Sequence, residues 1–426
     1  MFFRSPRFRL LLAGSTISRL GDVCFMVALP WIALALTGSP AALGTVLVAA
    51  AIPRATLMLV GGAVSDRISA RTVMLATNAI LTVCVAITAL LAAQHALQLW
   101  MLYVVAVVFG TADAFGGPAT RVLLPSIVCA DDIAAANSML QTSTQLCLLV
   151  GSAAAGLLIQ RAGIVPALAF DASSFLALIA ALVLIGAPGD VRVPSKSLVA
   201  SIGEGLAYVA RELWLRLLLI AVAAVNFCLT GTMQIGVITL IHARFGSAAL
   251  FGVLMTVTAI GSLLGIALAG IVKLRGSLVR TLLGAGGLLG LLIASLALPL
   301  PVAAIAAVLC ACGLVAGYVN VQAVSLLQRS VARDMLGRVS SLVTLCSIGV
   351  APISLAICGA IAQINVSALF VVAGSALVSV GLTGLFSAAL ATAAGEPRTA
   401  SRAADQIPAT APSLRGSEPP SSMPEG

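Results

Sequence analysis

The chain reads as an all-α polytopic membrane protein of twelve transmembrane helices in two six-helix halves, and three observations predict this. Hydrophobic residues fill 61% of the 426 positions and charged residues only 9%, so the chain's surroundings are mostly lipid or other apolar helices and a soluble fold is excluded. The apolar residues are gathered into a dozen stretches, each suited to a hydrocarbon core of roughly 30 Å, which takes about 20 helical residues to cross. After the sixth stretch, Pro188, Gly189, Asp190, Arg192, Pro194 and Lys196 interrupt the pattern and divide it six plus six.

In chain order the stretches are 8–37, 41–64, 72–93, 98–121, 137–159, 164–187, 213–237, 249–272, 279–297, 302–326, 338–361 and 366–391. The first is too long for a removable signal peptide and is expected to stay as helix 1. Residues 1–187 and 213–391 are the two halves. The segment 188–212 is a linker in which Leu198, Ile202, Leu206 and Val209 recur at near-helical spacing beside Glu204, Arg211 and Glu212, the pattern of an amphipathic helix on the membrane surface. The last stretch, 392–426, is rich in Pro, Ser, Ala and charge and is expected to be a disordered tail.

A net charge of +9 raises the question of nucleic acid, but the basic residues sort by side of the membrane. With the amino terminus inside, the termini and inner connections hold Arg4, Arg7, Arg9, Arg67, Arg71, Arg121, Arg192, Lys196, Arg211, Arg216, Lys273, Arg275, Arg280, Arg329, Arg333 and Arg338, with three more arginines in the tail; the other side holds only Arg161 and Arg244. This bias predicts both termini and the linker in the cytoplasm. His95 and His242 are expected in external loops. The nine cysteines, without a Cys-x-x-Cys pair, read as small hydrophobes inside apolar segments and imply neither disulfides nor a metal site. No Gly-x-x-x-x-Gly-Lys-Ser/Thr loop is present, so no ATP site and no cofactor are expected.

The halves repeat one another. The run Leu123 to Ile133 aligns without gaps on Leu326 to Leu336, after which Ser138 meets Ser341 and Gly156 meets Gly359. A second alignment sets Ser39 to Gly44 on Ser247 to Gly252 and Gly62 on Gly270; it leaves Leu274 opposite Asp66 but Arg275 opposite Arg67, so the acid is confined to the first half.

Charged groups at membrane depth cost several kcal/mol unless paired or hydrated, so each is a functional candidate. Arg19 and Asp22 lie three apart near the middle of helix 1. Arg54 follows Pro53 in helix 2, Asp113 follows Gly110 in helix 4, and Asp171 precedes Ser173 and Ser174 in helix 6. Asp22 is either a carboxylate that gains and loses a proton or half of a static pair with Arg19. Asp113 suits a salt bridge to Arg19 or Arg54 or, less directly, proton transfer. Asp171 suits capping of helix amides near a helix start. Gln141 and Gln145 on helix 5, Asn226 and Gln234 on helix 7, and Asn320 and Gln322 on helix 10 either line a cavity with Arg54 or make interhelical hydrogen bonds.

The spacing Gly62, Asp66, Arg67, Arg71 resembles the loop between the second and third helices of the major facilitator superfamily. Gly21-Asp22 with Pro30, Asp113-Ala114-Phe115 with Pro118, Pro125 with Ala136-Asn137, and Leu336-Gly337-Arg338-Val339-Ser340-Ser341 are similar to the branch that includes the enterobactin exporter and macrolide efflux proteins. The resemblance implies a multi-pass location in a bacterial inner membrane, two parallel six-helix halves with the substrate path between them, a gating role for Gly62, Asp66, Arg67 and Arg71, and helix 1 lining the cavity, with Asp22, Arg19 and Asp113 as proton-coupling candidates. Gly151 to Gly156 resembles the family's antiporter motif, with Ser152 in place of proline. The helix 4 arginine of proton-linked drug exporters is absent: counting back from Gly110 gives Ala106.

Together these readings describe a monomeric secondary transporter, not an enzyme, that exports a small organic molecule by alternating access against entering protons. Its partners would be that substrate, protons and the lipid bilayer, not nucleic acid. The alternatives are an importer or facilitator and, from another class, a membrane enzyme or signalling subunit.

Overall fold

The computed structural model describes residues 5–67, 69–186, 206–210, 212–272, 278–331 and 333–393. They form helices α1 Pro6–Thr37, α2 Pro40–Arg67, α3 Ala70–Ala93, α4 Leu99–Ile127, α5 Ile133–Ala162 and α6 Ile164–Ile185 in the first half. The second half holds α7 (Leu213–Gly231, a π-helical stretch Thr232–Val237, then Ile238–Phe245), α8 Ala248–Ile271, α9 Leu278–Ser295, α10 Val302–Ser330, α11 (Arg333–Gly349 and Ala351–Ile364) and α12 Val366–Ala393. Eleven of these are long and apolar enough to span a membrane, and α9 contributes a shorter apolar stretch, Thr281–Ser295.

Local chemistry sets the ends. Ser5 accepts the N–H of Phe8 and Pro6 opens α1, while Gly38, with φ +62°, closes it by donating to the Leu34 carbonyl at 2.8 Å. Ser247 caps α8 in the same way, accepting the N–H of Leu250.

Several expected boundaries move. α2 runs to Arg67, so Gly62, Asp66 and Arg67 belong to helix and not to a loop; their side chains lie outside the described residues. α7 runs to Phe245, so His242 sits in a final helical turn and not in an external loop. Cys129 lies exposed in the connection after α4, unlike the other eight free cysteines, which sit in helices. Of the 188–212 linker only the helical residues 206–210 and Glu212 are described, and the tail from 394 onward lies outside them.

The bundle has two unlike ends. Alternation of the spans puts the start of α1 and the end of α12 at one end, here the terminal end. At the far end one core joins both halves: Val27 to Leu34, Leu43, Leu102 and Leu168 from the first, Ile235 to Ile241, Phe251, Ile305, Leu355 and Phe370 from the second. At the terminal end there are two separate cores. Phe8, Leu11, Val73, Leu123, Leu178 and Leu182 form one entirely within the first half. Leu215, Leu327, Val331, Val339 and Leu342 of the second half form the other together with Val209 of the linker. Among the described residues the halves therefore share a core at the far end and keep separate cores toward the terminal end.

Candidate functional site

α1 is backed by α6 and flanked by α5, α2 and α4. Gly14 and Gly21 take its approach to α6, where an added Cβ on Gly14 would stand 2.7 Å from that of Ala181, and Gly151 of α5 receives Leu20 and Val23. Small residues at such crossings let helices gain dispersion contacts that lipid cannot supply. Arg19, Asp22 and Met26 fall on the face these contacts leave partly open. Arg19 Nη1 lies 3.3 Å from Asp22 Oδ2, with Arg19 half exposed and Asp22 26% exposed.

A second pair lies beside the first. Arg54 Nε of α2 is 2.9 Å from Asp113 Oδ2 of α4, so Asp113 takes Arg54 and not Arg19 as its partner. The α2–α4 contact that aligns them is close: a Cβ on Gly110 would collide with the Ala50 carbonyl. Asp22 lies within electrostatic reach of both Arg19 and Asp113, so signs alternate across the two neighbouring pairs. Neither pair is sealed: Arg54 and Asp113 are 53% and 40% exposed.

Asp171 does not cap a helix. It lies in the second turn of α6, past the free amides of the helix start, and is fully buried with both carboxylate oxygens lacking a hydrogen-bond partner.

Two crossings close the far end, and they repeat each other across the halves. Gly44 of α2 meets Gly359 of α11, and Gly252 of α8 meets Gly156 of α5; in both, a Cβ on the first glycine would stand 3.0 Å from the Cα of the second. A glutamine fastens each crossing. Gln363 Oε1 accepts from Ser39 Oγ at 2.7 Å and from the N–H of Ala41 at 3.3 Å, while Gln160 Oε1 accepts the N–H of Ala248 at 3.0 Å. Each thus satisfies orphan groups at the start of a helix in the other half. Trp31 of α1 packs edge-on against His242 of α7, with ring centres 4.9 Å apart.

Hydroxyls enter two helix ladders. Thr256 of α8 accepts the N–H of Ala153 and donates to the carbonyl of Leu149, the pair a regular α5 joins directly. Ser354 of α11 does the same between the N–H of Gly231 and the carbonyl of Phe227, just before the π-helical stretch of α7. Such insertions are a recognised cause of bends.

At the terminal end Arg71 Nε donates to the Leu182 carbonyl at 2.8 Å, tying α3 to α6 inside one half. Of the polar candidates, Asn226 bonds back to Val222 and Gln322 to Tyr318 on their own helices. Gln141, Gln234 and Asn320 are exposed, and Gln145 is half-buried. Among the described residues no three His, Cys, Asp or Glu side chains gather as a metal site would require. Gln160 and Gln363 were missed by sequence reasoning, although the alignment of Gly156 with Gly359 also sets these two glutamines opposite each other.

Residues 11–353 match the Major Facilitator Superfamily. The fold is similar to the crystal structure of a nucleoside transporter, NupG, D323A mutant (TM-score 0.74, 12% identity, covering 89% of this chain and 99% of that one). It is also similar to a bacterial homologue of the iron transporter ferroportin in an inward-facing state (TM-score 0.71, 15% identity, 89% and 98%). A third likeness is to a bacterial homologue of the human lysosomal transporter Spinster, inward-facing and unoccupied (TM-score 0.65, 16% identity, 91% and 96%). No curated protein sequence matches the chain.

Proposed function

Because the chain belongs to the Major Facilitator Superfamily, we propose that it is a secondary transporter that exports a small organic molecule by alternating access, driven by proton entry. The observation that carries this reading is the charged network Arg19, Asp22, Arg54 and Asp113, half open to its surroundings, in a bundle whose halves, among the described residues, share a core at one end and keep separate cores at the other. The basic residues make the terminal end cytoplasmic, so the described state faces inward. Substrate enters from the cytoplasm, the halves rock, and the far-end crossings part while the terminal end closes. In the outward-open state Asp66 and Arg67 join Arg71 in holding the terminal end shut. Asp22 is the coupling carboxylate: protonated, it releases Arg19; ionised, it takes Arg19 back.

An efflux panel of drugs, siderophores and metabolites, in cells lacking their own exporters, tests direction and substrate class. Accumulation that falls on expression supports export, and uptake into energised cells makes the chain an importer. Asp22→Asn is expected to abolish transport driven by a pH gradient while keeping substrate exchange. If Asp22→Asn combined with Arg19→Gln restores gradient-driven transport, Asp22 is only half of a structural pair.

A further inference from the structure

Among the described residues, Asp171 is the one buried acid for which the site above has no use. Its carboxyl lies against α1 at Gly21, where an added Cβ would come within 2.7 Å of Oδ1. The glycine makes the room that the Ser174 hydroxyl and the Asp171 carboxyl share. Neither oxygen has a donor among the described residues. Ser174, one turn on, is committed to the Asp171 backbone carbonyl at 2.7 Å. Arg19 is turned to Asp22.

The elements packed on α6 supply no cation either. α1 brings Asp22 and Cys24 within electrostatic reach. The basic groups of α3 and α5 stand elsewhere: Arg71 is bound to Leu182, eleven residues and about 16 Å farther along α6, and Arg161 lies in the last turn of α5. Of the other thiols on those helices, Cys147 donates to the Thr16 carbonyl and Cys84 packs on the far-end core. An ionised carboxylate with no donor and no counter-charge does not persist in a dry helix interface. A protonated one does, and here it sits directly behind the residue that precedes Asp22.

We propose that Asp171 is a second proton-binding site, occluded between α1 and α6, which exchanges its proton with Asp22 when α1 moves. In that step the O–H bond breaks at Asp171 and forms on the Asp22 carboxylate, leaving the negative charge on Asp171 until it is reprotonated. The proposal rests on the reading of Asp22 as the coupling carboxylate. Gly21 and Asp22 are consecutive, about 100° apart around the helix axis, so the two acids lie on neighbouring faces of one turn of α1, and a shift of that helix over its Gly14 and Gly21 contacts changes the access of both.

The test pairs infrared difference spectra of the purified full chain with transport in proteoliposomes, using a substrate found in the efflux panel. At neutral pH the wild type is expected to show a protonated-carboxyl C=O band that Asp171→Asn removes and that Asp22→Asn retains but shifts. Asp171→Asn is expected to keep exchange and lose transport driven by a pH gradient. If Asp171→Asn does not fold, Asp171→Glu serves, moving the band instead of removing it and restoring part of the gradient-driven transport. Absence of an Asp171 band at neutral pH overturns the proposal, as does gradient-driven transport by Asp171→Asn at the wild-type rate. If the wild type itself shows no response to a pH gradient, the antiport reading fails separately, and the band together with its response to Asp22→Asn decides whether this proton site exists.

Discussion

At the far end of the bundle two halves share one core; at the terminal end each half keeps a core of its own. The far-end contacts are backbone against backbone, glycine on glycine, with a glutamine reaching across each crossing. Among the described residues the terminal-end cores are separate, and Arg71 on Leu182 ties two helices of one half. Contacts of the first kind can be lost together without damaging either half, because each half remains packed about its own helices. That is the physical requirement for a rocking motion, and it separates residues that set the conformational balance from residues that only hold a half together.

The largest effect is expected from Gly252→Leu. Any Cβ there collides with the Ser152 carbonyl, and neither backbone can yield cheaply. Overpacking of this kind costs about 1–3 kcal/mol, here charged to the closed far end alone. Export in the efflux assay should fall by about tenfold or more while membrane expression stays near normal. The matching change at the terminal end, Gly116→Leu, meets open space and should leave export nearly unchanged. Equal losses from both substitutions would erase the distinction between the two ends.

Removing both fasteners, Gln160→Leu with Gln363→Leu, comes next. Loss of a helix-start cap costs about 0.5–2 kcal/mol, so each single variant should lower export a few-fold and the pair roughly multiplicatively, since the crossings are separate. A double variant no worse than either single one would mean that only one crossing opens.

The smallest effect sharpens the comparison within the far end. Thr256 inserts its hydroxyl into α5, whereas the repeat sets Val48 at the equivalent place on α2. Thr256→Val makes the crossings alike, and side-chain hydrogen bonds in membranes average about 0.6 kcal/mol. Export should change by less than about threefold, with measurably faster opening of the α5–α8 crossing by hydrogen exchange at Ala153. Unchanged exchange there would remove the hydroxyl from the latch.

The spans were legible because some 20 apolar residues in a row have few other uses, and their order fixed the two halves. What faces what was not legible. In helices apolar on every side no periodic stripe marks the inner face, so Asp171 reads as a cap when it is buried against Gly21, and Asn226 and Gln322 read as cavity lining or interhelical bonds while their hydrogen bonds, among the described residues, stay within their own helices. The far-end ends of helices were hidden for a related reason: His242 and Arg244 look like a loop by polarity, yet they continue α7 as its last turn. The alignment of Gly156 on Gly359 held a signal that polarity lacked, because a glycine and a glutamine kept four residues apart in both halves are what a repeated crossing requires.

The claim that the two ends open in alternation is tested most directly by pulsed electron spin distances in lipid nanodiscs. One label pair spans the far end, on Gln94→Cys and Leu298→Cys, in the exposed connections after α3 and α9; the other spans the terminal end, on the exposed native Cys129 and on Gln328→Cys in α10. Introducing Gly252→Leu should lengthen the far-end distance and shorten the terminal-end distance in the same sample. Distances that both lengthen, or a far-end distance that does not move, would contradict alternating access built on these crossings.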